Sequence, residues 1–315
     1  MKTNIYQVAI IGGGPAGLSA ALVFGRSLIN SIVISEEKPR NRITKASHGF
    51  ITRDGIHPTK FLEIAKNELK AYPSIHYLKE KAKKIEEQKD FFIIHCSNKT
   101  KIYCEKIIIS TGLKDNLDAL NIKNIHDSYG KSTFVCPLCD GWEWQGKALA
   151  LIGEKYSVYE YSKVLKNWSD NLIVFTNGHK ILSPRMKQEF MLNNISFYEE
   201  KINAFHSKDG NLNSIELSSK KLIKRDAAFI PHQTNNNFKE IIGVDTIIKE
   251  NSISENQTNL PFQTLNSPNY NSKIFIIGDA KNGFSGLTTA ASEAYQTAKQ
   301  IIYDMSYDKW QEIKL

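Results

Sequence analysis

The sequence predicts an α/β protein with two three-layer domains, the second inserted into the first. Two segments, beginning near residues 8 and 148, each have the pattern of a buried strand, a glycine turn and a helix. A strand-like run at 272–280 comes later in the chain and resembles part of the first sheet. The predicted domains are therefore residues 1–115 together with 243–315, and residues 116–242.

The individual elements alternate between strands and helices. The run QVAII (7–11) is almost continuously apolar, which is typical of a strand inside a parallel sheet, and residues 30–37 predict the next strand. Residues 57–72 have one apolar face and predict a helix. The other predictions are an antiparallel layer at 75–96 and 101–112, a strand, turn and helix at 147–168, a strand at 171–178, a helix at 183–194, a meander at 195–219, a loop at 250–272 and a helix starting near Leu287.

Composition and charge limit the classes of function. The chain of 315 residues is 41% hydrophobic and has no apolar run of about 18 residues, so no membrane span or membrane partner is expected. The N-terminal segment enters the first strand at once, and signal-peptide cleavage would destroy the glycine turn, so a cytoplasmic location is predicted. The net charge of +8 comes from scattered lysines, not from the stripe of a nucleic-acid binder. It indicates a solvated basic surface or attraction of an acidic protein partner.

The first glycine turn has the spacing G-x-G-x-x-G at Gly12, Gly14 and Gly17. In a Rossmann-like strand–turn–helix unit the first glycine permits the tight turn, the second lets a pyrophosphate approach, and the third lets helix and strand pack. The helix N-terminus then offers free N–H groups to the phosphates. A glycine-rich turn without ligand is the alternative. The acid expected on the ribose falls by register on Ser35, so its neighbour Glu36 is the candidate.

A short acid follows the last predicted strand, in the sequence IFIIGDA. Gly278 and Asp279 end this strand and precede a helix, where a carboxylate can hydrogen-bond a ribityl hydroxyl of a flavin. A simple helix-capping aspartate is the alternative.

Two of the four cysteines form a C-x-x-C pair in FVCPLCDGWEW (134–144). Cys136 and Cys139 are two residues apart, whereas Cys96 and Cys104 lie in predicted strands. In a cytosolic setting such a pair favours catalysis or metal binding over a structural link. The local sequence leaves half a zinc site, a structural disulfide and a redox-active pair open.

The motifs GGGPAGLSAA, STG, CPLCDG and GDA occur in this order, and with them the chain resembles the low-molecular-weight thioredoxin reductase family over nearly its whole length. HGFITRDGI (48–56) and CDGWEW further resemble a thioredoxin-reductase-like branch that includes dithiol oxidases. The resemblance implies a non-covalent FAD, two nucleotide-type domains, a homodimer and a redox cysteine pair that faces the flavin.

The resemblance also implies a role for individual residues. Cys136 and Cys139 would form the redox disulfide, Cys136 attacking the substrate and Cys139 facing the flavin, and Asp140 would protonate a leaving thiolate. A zinc site would lack its second ligand pair and a structural disulfide would close too small a loop to stabilise much, so no metal is expected. Cys96 and Cys104 are expected to be buried, inert thiols. The implied FAD contacts are Gly12, Gly14, Pro15, Ala16 and Gly17 at the diphosphate, Thr111 and Gly112 at the domain crossover, Asp279 at the ribityl chain, and Gly286, Leu287 and Thr288 near the flavin ring.

The second glycine turn, LIGEKYSVYEY, departs from the family's NADPH pattern G-x-G-x-x-A. Gly153 keeps the first position, but Lys155 replaces the second glycine and Val158 the alanine. A side chain at 155 would occupy the space where pyrophosphate approaches, and Glu154 adds an unfavourable charge. The expected arginine cluster is reduced to His179, Lys180 and Arg185. NADPH binding is therefore doubtful.

These observations favour an FAD-dependent disulfide oxidoreductase that reduces a thioredoxin-like protein or a small disulfide. The favoured donor is an acidic ferredoxin or flavodoxin, which a basic protein would attract. Asp140 favours reduction, because the oxidase relatives commonly carry histidine at that position. The alternatives are a dithiol oxidase that passes electrons to oxygen, an ordinary NADPH-dependent thioredoxin reductase, and a non-enzymatic flavin redox sensor.

Overall fold

The computed structural model describes residues 5–231, 234–244, 247 and 273–311. The chain divides into two compact units: unit 1 holds the described residues of 1–40, 59–114 and 235–315, and unit 2 holds 41–58 and those of 115–234. The predicted loop at 250–272 lies outside the described residues.

Residues 41–58 belong to unit 2, although the sequence-based division gave them to the first domain. Ile43, in this segment, lies close to Gly130 of unit 2. A Cβ added to Gly130 would be 2.8 Å from Ile43 Cγ1. Sequence position could not reveal that packing, because it joins segments far apart in the chain. The rest of the predicted domain division stays a prediction.

Unit 1 is built on one seven-stranded sheet with the order β3-β2-β1-β6-β5-β4, and β17 also pairs with β6. Parallel pairing joins β1 to β2 and β6, as the apolar run of β1 predicts. β4, β5 and the start of β6 pair antiparallel as predicted, but β3, which the sequence placed in the same antiparallel layer, pairs in parallel with β2. β17 pairs in parallel with the end of β6, so the last strand completes the first sheet. The strands are β1 Ile5–Ile11, β2 Ser31–Ile34, β3 Ile75–Leu78, β4 Ala82–Glu87, β5 Phe92–Cys96, β6 Lys101–Ile109 and β17 Ile274–Ile276.

Two helices cover one face of this sheet, α1 (Pro15–Arg26) and α8 (Leu287–Gln311). Alanines dominate their buried positions, among them Ala20 and Ala21 on α1 and Ala294 on α8, and these small side chains lie in one apolar cluster with Val8 and Ile10. Short side chains let the helix backbones approach closely. The other helices of this part of the chain are α2 Pro58–Leu69 and the one-turn α7 Asp279–Asn282.

Unit 2 contains a parallel five-stranded sheet with the order β11-β10-β9-β15-β8 and an antiparallel three-stranded meander β12-β13-β14. Its β9–α5 segment is the predicted second strand–turn–helix. The strands are β8 Thr133–Phe134, β9 Leu149–Ile152, β10 Leu172–Phe175, β11 Ser196–Tyr198, β12 Ile202–Lys208, β13 Asn211–Leu217, β14 Leu222–Lys224 and β15 Ala227–Phe229, and the helices are α3 Ile125–Ser128, α4 Pro137–Asp140, α5 Ser157–Leu165 and α6 Pro184–Leu192.

The chain passes between the units at β7 (Leu113–Asp115) and β16 (Thr234–Asn236), which pair with each other. Two Rossmann-like α/β units, the second inserted into the first, are the fold class that the sequence predicts. Along the described residues, every helix is too short or too polar to cross a lipid bilayer.

Candidate active site

The predicted cofactor residues of unit 1 follow four strands of its sheet. Because β1, β2, β6 and β17 are parallel, their carboxyl ends lie at one edge. The residues that follow these strands are Gly12, Glu36, Thr111 and Asp279. The fold therefore collects segments that are distant in the sequence at the edge where nucleotides bind in such sheets.

The glycines of the first turn have two different reasons to be glycine. A Cβ on Gly12 would lie 2.3 Å from the Ser110 carbonyl oxygen, and one on Gly17 would lie 1.9 Å from the Gly12 carbonyl oxygen. A Cβ on Gly14 would meet nothing within 4 Å. Packing therefore excludes side chains at Gly12 and Gly17, whereas Gly14 borders open space.

The N-terminus of α1 is suited to a phosphate. Gly14 is its N-cap residue and supplies no side-chain hydrogen bond, and no acid stands in the first turn. Pro15, with its fixed φ, starts the helix, and Ala16 is buried beneath it. The first N–H groups and the positive end of the helix dipole thus face the space beside Gly14, which fits a dinucleotide diphosphate.

Thr111 provides an orphaned polar atom at the same edge. Its carbonyl accepts a 2.8 Å hydrogen bond from Asn237 Nδ2, but its buried Oγ1 has no partner within the described part of the chain. Leaving a buried hydroxyl unsatisfied costs about 1–3 kcal/mol. Gly112 follows with φ 64°. A bound group with polar atoms would satisfy the Thr111 hydroxyl, so this position also fits a cofactor.

Asp279 is held by partners that the sequence did not reveal. Its Oδ1 accepts hydrogen bonds from the Ser285 N–H at 3.0 Å and the Ser285 hydroxyl at 2.8 Å. Arg40 Nη1 lies 3.8 Å from Oδ2, and the Arg40 guanidinium stacks over the Phe284 ring. Gly278 caps the short helix α7, so Asp279 is not the N-cap residue. Leu287 and Thr288 start α8, and Gly286 directly precedes this helix.

Two glutamates follow β2, and they differ in how firmly they are held. Glu37 pairs with Lys66 at 2.5 Å and Lys79 at 2.7 Å, and hydrogen bonds from these lysines lower its pKa. Glu36, the candidate ribose ligand, lies 3.6 Å from Lys81 and 3.8 Å from Lys38. Its looser pairing leaves Glu36 the more adaptable of the two, and its role stays a prediction.

In unit 2, Cys136 and Cys139 form a disulfide at the carboxyl end of β8. The single-turn helix α4 starts directly after Cys136. The Cys136 carbonyl accepts hydrogen bonds from the N–H groups of Cys139 and Asp140, both at 3.2 Å. Cys136 is buried, Cys139 is partly exposed, and Leu138 between them is 77% exposed. The free thiols of Cys96 and Cys104 are buried in unit 1.

Asp140 stands next to the disulfide in a partly buried position. Burial and, to a smaller extent, the negative charge of Glu143 raise the pKa of Asp140 to about 7, against a lowering of this pKa by His48. A carboxyl group with this pKa is protonated about half of the time near pH 7. It can therefore both accept and donate a proton at physiological pH.

The segment HGFITRDGI places His48 beside Glu143, a position that the sequence did not predict. The His48 ring lies between two carboxylates: Nδ1 is 3.4 Å from Asp54 Oδ2, and Nε2 is 3.4 Å from Glu143 Oε1. The Gly49 N–H also donates to Asp54, and with His48 it lowers the pKa of that carboxyl. The six-residue spacing of His48 and Asp54 around a turn was the available signal.

The tryptophans after the disulfide have different surroundings. Trp144 packs on Phe134 with ring centroids 6.1 Å apart, whereas Trp142 is 70% exposed. Packing accounts for Trp144. Trp142 and Leu138 leave two large apolar side chains exposed near the disulfide.

In the second glycine turn, the Glu154 side chain is held by a hydrogen bond from Asn177. Glu154 Oε1 accepts from Asn177 Nδ2 at 2.6 Å. Asn177 is itself buried and fixed, because it donates to the Leu120 carbonyl at 2.9 Å and accepts from the Ile202 N–H at 3.0 Å. The Glu154 carboxylate is thus held at the carboxyl end of β9. Arg185, one of three candidate basic residues, is engaged with Glu189 at 2.9 Å.

A family model described as pyridine nucleotide-disulphide oxidoreductase matches residues 6–298. The chain belongs to this family. The crystal structure of a candidate thioredoxin reductase, TrxB, from Bacillus anthracis is 32% identical, with a TM-score of 0.86, and the match covers 96% of this chain and 99% of that one. The chain is thus a low-molecular-weight, thioredoxin-reductase-like member of the pyridine nucleotide-disulphide oxidoreductase family, and membership implies FAD as cofactor.

Two curated relatives match shorter stretches of this pyridine nucleotide-disulphide oxidoreductase. A protein of Arthroderma benhamiae named probable thioredoxin reductase is 30% identical over 179 residues, 55% of this chain and 44% of the relative. The thioredoxin reductase of Mycoplasma genitalium is 30% identical over 154 residues, 47% of each chain. The chain therefore spans about half the length of the curated relatives it matches.

Proposed function

We propose that the chain is an FAD-dependent disulfide reductase that acts on a protein or small-molecule disulfide through Cys136 and Cys139. The observation that carries the proposal is the Cys136–Cys139 disulfide with Asp140, a carboxyl whose pKa is raised to about 7, directly beside it. The relatives named as thioredoxin reductases support a thioredoxin-like protein as the substrate. A homodimer in the cytoplasm is part of the same proposal.

FAD would be held in unit 1, with its diphosphate at Gly14 and the start of α1, and with polar contacts from Thr111 and Asp279. Bound FAD would supply the electron pair that reduces the Cys136–Cys139 disulfide. The open space at Gly14 and the unpartnered Thr111 hydroxyl support this placement.

The chain's own residues account for the thiol steps. In the reacting form a Cys136 thiolate lies beside protonated Asp140, and this thiolate attacks one sulfur of the substrate disulfide. The leaving thiolate takes the proton of Asp140. The Cys139 thiol then loses its proton to the second product sulfur as Cys139 attacks Cys136. The enzyme disulfide is restored, and the substrate gains two electrons and two protons.

The electron donor is proposed to be an acidic protein, ferredoxin or flavodoxin, and not NADPH. Glu154, fixed by Asn177, would place negative charge where a nucleotide diphosphate approaches, and Lys155 stands in the same turn in place of the family's second glycine. The net charge of +8 favours encounter with an acidic donor.

Dithiol oxidation is the second candidate function. His48 within the charged group around Asp140 favours it, because an imidazole beside a carboxylate can help deprotonate a substrate dithiol. Oxygen would then be the acceptor, and production of hydrogen peroxide would separate this function from disulfide reduction.

The proposed function is tested by anaerobic titration of the yellow protein with NADPH, NADH and reduced ferredoxin, followed by flavin absorbance. Flavin bleaching by ferredoxin and not by pyridine nucleotides is expected. Rapid bleaching at micromolar NADPH would refute the proposed donor and identify an ordinary pyridine-dependent reductase. Dithionite is the control, since it shows that the flavin itself can be reduced.

A further inference from the structure

We propose that His48 is a positioning residue that controls proton transfer at Asp140 during disulfide exchange. This inference rests on the proposed function, and it assigns His48 a role that neither the family match nor the motif spacing assigns. His48 lies in the segment 41–58, which belongs to unit 2. This segment is far in sequence from the C-x-x-C pair.

The loop that carries His48 is held in place by backbone pairing. Ser47 and Ile56 form an antiparallel bridge, with the Ser47 N–H donating to the Ile56 carbonyl at 2.8 Å. The Gly55 N–H returns to the Ser47 carbonyl at 3.0 Å. This closed loop places His48 and Asp54 side by side.

The imidazole is oriented by a carboxylate on each side. Asp54 Oδ2 lies 3.4 Å from Nδ1, and Glu143 Oε1 lies 3.4 Å from Nε2. The His48 side chain is 23% exposed, whereas that of Asp54 is 69% exposed. Within the described residues, no three side chains of His, Cys, Asp or Glu are grouped so as to hold a metal ion. The two 3.4 Å distances allow the cluster to act through charge and hydrogen bonding.

Two charged side chains act on Asp140, and they come from different segments. Glu143 belongs to the turn that follows α4, and His48 comes from the 41–58 segment with Asp54 behind it. Glu143 raises the pKa of Asp140 and His48 lowers it. Because the two effects oppose each other, removing either partner moves the Asp140 pKa in a distinct direction.

The experiment is a single-turnover reaction of reduced holoenzyme with hydroxyethyl disulfide, measured between about pH 5 and pH 9. The leaving alkyl thiolate needs a proton, so the rate falls as Asp140 loses its proton. The Asp140→Asn variant should lack this descending limb of the pH profile, and its loss would assign the limb to Asp140. We expect His48→Gln to move the limb up by roughly half to one pH unit, and Glu143→Gln to move it down.

Two controls isolate the effect. His126, which pairs with Asp118 at 2.7 Å elsewhere in unit 2, is the matched histidine, and His126→Gln should leave the limb in place. With 5,5′-dithiobis(2-nitrobenzoic acid), whose aromatic thiolate leaves without a proton, the descending limb should disappear in every variant.

The outcomes separate this inference from the proposed function. If reduced enzyme fails to react with either disulfide, disulfide reduction itself is refuted. If it reacts but His48→Gln lowers the rate equally at all pH values, or Glu143→Gln moves the limb in the same direction as His48→Gln, the assigned role of His48 is wrong. Should His48→Gln fail to fold, the direction of the Glu143→Gln shift still decides, because an unmoved or raised limb overturns the inference.

Discussion

Asp140 shows how one side chain can serve chemistry at the expense of stability. Burial keeps its folded-state pKa at about 7, against an ordinary value of 3.8. Between these values the unfolded chain has released the proton and the folded chain has kept it. Folding stability therefore decreases as pH rises through this window, and the full cost is present above pH 7.

Asp140→Asn is expected to stabilise the protein at pH 8 while lowering disulfide reduction by about 100-fold. The gain in stability should shrink as pH falls toward 4, because both forms are then uncharged at this position. In thermal melts at pH 8, the melting temperature should rise by about 2–4 °C for each kcal/mol of ionisation cost removed. A gain that does not change between pH 5 and pH 8 would contradict the raised pKa.

The control for this prediction is Asp127→Asn, a change of an exposed aspartate in unit 2. The two substitutions are chemically identical, so only the surroundings differ. The Asp127 variant should show no comparable pH-dependent gain.

At the scale of elements, the turn between β1 and α1 contains one glycine that packing requires, Gly17, and one that ligand binding is expected to require, Gly14. Gly17→Ala places a Cβ 1.9 Å from the Gly12 carbonyl oxygen, so it should lower the melting temperature with or without flavin. Gly14→Ala meets nothing within 4 Å and has an ordinary φ of −81°, so the apoprotein should fold normally. The flavin content after purification should nevertheless fall, because the new methyl group enters the space beside the helix N-terminus.

The measurements are the ratio of flavin to protein absorbance and the melting temperature of the apoprotein. A Gly14→Ala protein with full flavin content would show that the diphosphate does not approach this turn.

Elements with a strong apolar period were predictable from the sequence. The first strand, the helix of 57–72 and the strand at 272–280 were found at Ile5–Ile11, Pro58–Leu69 and Ile274–Ile276, and the last helix starts at Leu287 as expected. In each element the order of apolar residues predicts which positions are buried, since an apolar face must pack against a neighbour.

The partners of the candidate site were not predictable in the same way. His48, Arg40 and Asn177 carry no distinctive local pattern, and each acquires its role from residues far away in the chain: Glu143, Asp279 and Glu154, respectively. The path of 41–58 into unit 2 likewise depends on long-range packing. Sequence patterns fix which segments are buried, but not which distant side chains they meet.

At the scale of the whole molecule, charge is expected to control the encounter with the electron donor. The chain has 41 Lys and Arg residues against 33 Asp and Glu residues. Flavin reduction by reduced ferredoxin should slow by about tenfold or more from low salt to 0.5 M salt, because screening shortens the reach of charge to a few ångströms. Stopped-flow flavin absorbance measures this rate.

Reduction of the Cys136–Cys139 disulfide by dithiothreitol, an uncharged dithiol, is the control and should change little with salt. A ferredoxin rate that is independent of salt would exclude charge attraction as the basis of donor choice.

The pairing of β17 with β6 sets an order of events during synthesis. β6 ends at Ile109 and its parallel partner begins at Ile274, so the ribosome makes the described residues of 115–234 between them, and it has already made residues 41–58, the other segment of unit 2. Unit 2 can therefore fold while unit 1 still lacks a strand and the helix α8 that covers it. The cysteine pair can therefore lie in a folded unit before the glycine turn has a complete sheet beneath it, and we expect the cofactor to bind after unit 2 has folded.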